Sequence, residues 1–159
     1  MQPDHLKSLR SELVDLLDGG NAHISPEKLI PDFPEHLRSV KVAKFPHTAW
    51  QLLEHLRIAQ WDILEFSRNG EHQSPSWPSG YWPKTEAPPD RHAWKKSMDQ
   101  FFADLKAMEK LIQDSDTDLF ARIPHGDGQT ILREALVLAD HNSYHLGQME
   151  MLRKALLGE

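Results

Sequence analysis

The sequence predicts an all-α protein, a four-helix bundle, and three observations carry that expectation. Four long segments repeat apolar residues at steps of three and four. Each is bounded by proline, glycine or a residue that caps helices. No segment shows sustained period-two alternation between turns, so strands are not expected. The 159 residues suit a single domain spanning 1–159, large enough to bury a core without covalent staples.

The first helix is expected over 4–18, where Leu6, Leu9, Leu13, Leu16 and Leu17 recur at helical spacing. Pro3 stands at its entrance and Gly19-Gly20 at its exit, the usual asymmetry of helix ends. Residues 21–46 are broken by Pro26, Pro31, Pro34 and Pro46, and Ser25-Pro26 and Pro34-Glu35 can each open a short helical turn. A second helix is expected over about 47–69, stopping at Gly70, with Leu52, His55, Leu56, Ala59, Ile63 and Phe66 on its inward stripe.

The connection 70–90, GEHQSPSWPSGYWPKTEAPPD, combines five prolines with Trp77, Tyr81 and Trp82. Aromatics have apolar area to bury, so this long loop is expected to pack across one end of the bundle and wall a pocket. The third helix is expected from an Asp90 cap to about 114, on a seam of Trp94, Met98, Phe101, Leu105, Met108 and Ile112. The fourth follows HGDGQT, capped by Thr130, and continues to about Leu157. There is no internal repeat.

Hydrophobic residues make up 39% and charged residues 26%, as in ordinary globular chains. No apolar run approaches the roughly 18 residues that span a bilayer. The opening MQPDHLKSLRSEL lacks the pattern of a signal peptide, so a cytoplasmic location and no membrane partner are expected. The net charge is −6, with Lys and Arg scattered, which argues against nucleic-acid binding. The absence of cysteine removes disulfides, thiolate nucleophiles and sulfur-based metal sites together. Any metal must be held by imidazole and oxygen, a donor set that suits zinc, nickel, iron or manganese.

Of ten histidines, only His141 and His145 stand four apart. They share the inward stripe of the fourth helix with Glu134, Leu138, Gln148 and Leu152, flanked by Val137 and Met149. His55 interrupts the stripe of the second helix; the other seven fall in loops or at helix ends. Burying three imidazoles separately is costly unless each finds a partner. A shared divalent ion would satisfy all three, since each neutral ring can give one nitrogen lone pair. A hydrogen-bonded histidine cluster without metal is the alternative that spacing leaves open.

LLEHL in the second helix, the proline-aromatic connection and HNSYHLGQ in the last resemble the DinB-like superfamily of damage-inducible, four-helix metalloenzymes, over nearly the whole chain. The resemblance implies an up-down-down-up bundle holding one divalent ion, zinc or nickel before iron or manganese, through three histidines. Carried over, the first ligand falls on His55 and the others on His141 and His145. His47 begins the same helix but lies eight residues from His55, off the stripe. The long connection suits two successive helices running the same way. The activity implied is that of a thiol-dependent transferase, with a low-molecular-weight thiol as cosubstrate, or of a metal-dependent hydrolase. A homodimer is also implied. The alternative is a non-catalytic, metal-stabilised bundle or a stress-related interaction protein.

Other constellations carry less. HNSYH lacks the glutamate of HExxH, so peptidase chemistry has no base. Ser143 lies on a different helical face from the two histidines, and no strand-turn-helix elbow presents a nucleophile. Asp62, Gln148 and Glu134 are candidates to orient the histidines, whereas Asp140 and Glu54 are expected to be surface charges. HGDGQT has no lysine and too few residues for a phosphate loop; a turn and a cap explain it. Arg57, Arg133 and Arg153 are expected in helix-surface salt bridges.

Overall fold

Leucines at steps of three and four do build helices. The computed structural model describes residues 3–159, and among these five α-helices form and no strand does. Helix α1 spans Pro3–Asp18 and ends where Gly19 and Gly20 take φ of 69° and 87°, a left-handed region that favours glycine. Its leucine stripe is narrower than expected: Leu13 and Leu17 are buried with Val14, while Leu16 is exposed. Prolines open the two short turns that follow, α2 at Pro26–Leu29 and a 3₁₀ turn at Glu35–Leu37. This broken stretch still feeds the core through Leu29, Ile30 and Phe33.

Helix α3, Ala49–Arg68, begins with a capping box. Thr48 accepts from the Gln51 amide while the Gln51 side chain accepts from the Thr48 amide. Helix α4, Ala93–Gln113, begins later than Asp90 would place it. Asp90 spends its carboxylate on the amide of His92 two residues on, so the chain turns once more before the helix starts. Helix α5, Ile131–Leu157, is capped by Thr130 as the sequence predicts, and Gly158 closes it at φ 76°. Val137 is exposed rather than flanking the core, because the buried face centres on Glu134, Leu138, Asn142 and His145.

Helix α3 packs on α4 and α5, and α1 packs on the same two. Side-chain bonds fix the directions. Ser97 donates to Glu54, and Gln60 donates to the carbonyl of Phe101 at 2.5 Å, so α4 runs the same way as α3. Asn142 donates to Gln60 at 2.9 Å while His145 meets His55, so α5 runs against α3. Arg10 reaches the carbonyl of Ile112, and Asp18 lies beside Glu109, so α1 runs against α4. The parallel pair is possible because residues 69–92 retrace α3. Tyr81 lies at His55, Thr85 at Trp50 and Glu86 at Thr48, which returns the chain to the starting end of α3. Among the described residues, no helix is long and apolar enough to cross a membrane.

Candidate metal centre

Antiparallel packing of α5 on α3 brings His141 and His145 to His55. The Nε2 of His55 lies 3.1 Å from the Nε2 of His145 and 3.1 Å from that of His141. One nitrogen from each ring falls within 4.8 Å of the others. His55 and His145 are buried and His141 is half-buried. The structure thus brings together the three histidines singled out from sequence, and it leaves His47 outside the cluster.

Hydrogen bonding at the far side of each ring decides what the near side offers. The Nδ1 of His55 lies 2.8 Å from the Tyr81 carbonyl, which can only accept, so Nδ1 carries the hydrogen. The Nδ1 of His145 lies 2.8 Å from Oε1 of Gln148, with the same result. Neutral rings held in this tautomer turn two Nε2 lone pairs toward each other across 3.1 Å. Such a contact is repulsive unless a proton or a cation stands between them.

A proton is disfavoured near neutrality. Burial pushes the pKa of His55 down to about 4, with the Tyr81 carbonyl opposing in part and His145 lowering it further. Burial likewise takes His141 down to about 4, reinforced by its two neighbours, and lowers His145. Two inward lone pairs and the nearby ring of the largely uncharged His141, whose Nδ1 is buried without a partner and so leaves its tautomer free, are a donor set that could hold a divalent metal ion.

The connection closes one side. Trp82 stacks on His55 with ring centroids 3.9 Å apart and planes 2° from parallel, and His47 stacks on the opposite face of Trp82 at 3.9 Å. Tyr81 and Trp82 therefore close on the cluster. Trp77 does not: it precedes the 3₁₀ turn Ser79–Tyr81, is 79% exposed and meets only the edge of Tyr81.

Of the candidates to orient the ligands, Gln148 touches His145 directly. Asp62 acts through the connection, accepting from the Tyr81 hydroxyl at 2.6 Å and from His72 at 2.7 Å. Burial, reinforced by that carboxylate, pushes the Tyr81 phenol up to about 12. Glu134 reaches none of the three histidines and pairs with Arg133. Glu54 is no surface charge: it is half-buried and binds Arg57 and Ser97. Asp140 is exposed, Ser143 donates back to the Ala139 carbonyl, Arg153 pairs with Glu150 along α5, and Arg57 pairs with the half-buried Glu54 rather than on the open helix surface. Sequence reasoning missed the Tyr81 carbonyl and the role of His72. Replacing Asp62 with Ala strands two donors at once and should cost about 1–3 kcal/mol in denaturant unfolding. An unchanged midpoint would show that the connection is held by stacking alone.

A groove of about 540 Å³ runs between α5 and the segment before α3, with His47 and Gln148, the partner of His145, in its wall. A family model, the DinB superfamily, matches residues 7–149. No curated protein and no solved structure matches the chain.

Proposed function

Because the chain belongs to the DinB superfamily, we propose that it is a divalent-metal-dependent enzyme whose ion is held by His55, His141 and His145. The observation that carries this reading is the pair of lone pairs facing each other at 3.1 Å on rings fixed from behind by Tyr81 and Gln148. Among the described residues the cluster has three ligands and no fourth carboxylate or imidazole. Three protein ligands with a position left over is the catalytic pattern, and four is the structural one. Zinc or nickel suits an all-imidazole set best.

When bound, such an ion supplies Lewis acidity and lowers the pKa of a coordinated water or thiol. The chain does the rest. Tyr81 and Gln148 fix the imidazole tautomers, Asp62 anchors Tyr81, and Trp82 excludes water from one face. The reaction class is a thiol-dependent transfer or a metal-dependent hydrolysis, and the absence of any cysteine fits a thiol brought in by a small cosubstrate. The four long helices are read as one domain, an up-down-down-up bundle, supported by the parallel α3 and α4 flanked by two opposed helices.

Elemental analysis and calorimetric titration with zinc and nickel should find about one ion per chain. Binding should weaken as pH falls through the imidazole range. No retained metal and no heat at millimolar zinc or nickel would overturn the reading.

A further inference from the structure

Gly147 lies well inside α5, a 27-residue helix, where glycine is among the least favourable residues. No close contact explains it, since a Cβ built there meets no heavy atom within 4 Å. Its open flank is the groove of about 540 Å³ beside His145, a volume that suits a small molecule. Phe45, Leu52, Tyr144 and Met151 give that groove an apolar lining. Tyr144 and Met151, seven residues apart on one face of α5, are 63% and 59% exposed and carry that apolar lining out to the solvent.

The charge of the groove is one-sided. Its only ionisable lining groups besides Tyr144 are Lys44 and His47, and no carboxylate lines it. Burial and Lys41 lower the pKa of His47, leaving Lys44 as the cation in a chain of net charge −6. Lys41 is paired with Glu86, but among the described residues Lys44 has no ion-pair partner. Lys44 also holds φ at 75°, a left-handed conformation uncommon for a side-chain-bearing residue, next to the Phe45-to-Val42 turn bond of 3.0 Å. Strained residues of this kind cluster where ligands are clamped.

We infer that this groove binds a small molecule with an apolar body and a single anionic end. The body lies over Gly147 between Leu52, Phe45 and Met151, where any larger residue at 147 would stand in its place. The anionic end meets Lys44. Gln148 both lines the groove and holds His145, so the far end of the occupant sits beside the histidine cluster. Only that last placement rests on reading the cluster as a metal centre.

The test uses 4-phenylbutyrate and its neutral counterpart 4-phenylbutanol, titrated into the full chain with chelator and again with zinc. The carboxylate should bind about three- to fivefold tighter than the alcohol at low salt, as a partly exposed ion pair allows. Lys44→Gly keeps the left-handed backbone and should erase that preference. Gly147→Leu should lose more than tenfold in affinity for both probes while melting no lower than the wild type, since leucine outranks glycine in a helix. If Gly147→Leu does not fold, Met151→Glu at an exposed position should weaken the carboxylate more than the alcohol. Equal binding of the two probes by the wild type, no binding of either, or undiminished binding by the groove variants overturns the inference. Probe binding by a chain that takes up no zinc when zinc is supplied sinks the metal reading alone, and zinc uptake without probe binding sinks the groove alone.

Discussion

Protein carrying His141→Ala and His145→Ala together will bind no divalent ion at stoichiometry, and His55→Ala alone will lose more affinity than the tenfold to hundredfold that an outer partner's loss costs. Each substitution removes one of three inward nitrogens. What remains is at most two imidazoles, with Asp62 engaged by Tyr81 and His72 and Glu134 by Arg133. No described carboxylate is placed to step in. His47→Ala is the informative control, because His47 is as near in sequence as any rival but is separated from His55 by the ring of Trp82. It should leave stoichiometry at about one. Isothermal titration with zinc decides the matter, and wild-type affinity in the double variant would remove the cluster from the site.

Chelated protein will stay a folded helical protein at room temperature. Leu53, Leu56, Phe101, Met108, Leu138 and Leu146 are fully buried, and none needs an ion to be so. Saturating metal should then add only a linkage increment, about 2.7 kcal/mol at a free concentration a hundredfold above the dissociation constant. A structural ion would instead contribute about 10–16 kcal/mol, as in small zinc domains, and its removal would unfold the chain.

The metal-free stability should also depend on pH in a definite direction. His55 and His141 titrate near 4 in the fold against 6.5 in the unfolded chain. Between those values the unfolded chain takes up protons that the folded one refuses. Stability is therefore lost as pH falls from about 6.5 to 4, and a variant lacking both histidines should show a flatter profile. Urea midpoints across that window, with and without chelator, test both statements. Loss of helix on chelation at pH 7 would mark the ion as structural.

What could be read from the sequence was what local spacing controls. The inward stripe of α5 and the His55 interruption in α3 follow from the 3.6-residue period, and Thr130 from the capping reach of its hydroxyl. Leu16 and Val137 were misplaced because each adjoins a truly buried leucine, and at a stripe's margin the period cannot separate neighbours. Asp90 was mistaken for a helix cap because a carboxylate one turn early serves a loop amide equally well.

Asp62 was a sound candidate for a reason the sequence hides. Seven residues beyond His55 is about 10 Å along the axis, too far to touch the ring. The retracing connection spans that distance by placing the Tyr81 hydroxyl on Asp62 and its carbonyl on His55. Main-chain carbonyls have no letter in a sequence, so this contact could not be read there. Nor could the outward turn of Trp77, since a loop has no period to give its aromatics a direction.

The contacts across the histidine cluster join residues 86 and 90 positions apart. Helices α1, α3, α4 and α5 can each begin to form from neighbours a few residues away, but this cluster cannot. Closing so long a loop carries an entropic cost that nothing local offsets until α5 docks along α3. In a folding chain the imidazoles therefore meet only once α5 lies along α3. Any state in which α5 is undocked holds one isolated His55 and no cluster. Detachment of that single helix from the native state dismantles the cluster just as completely, so the three rings come together only in the finished fold.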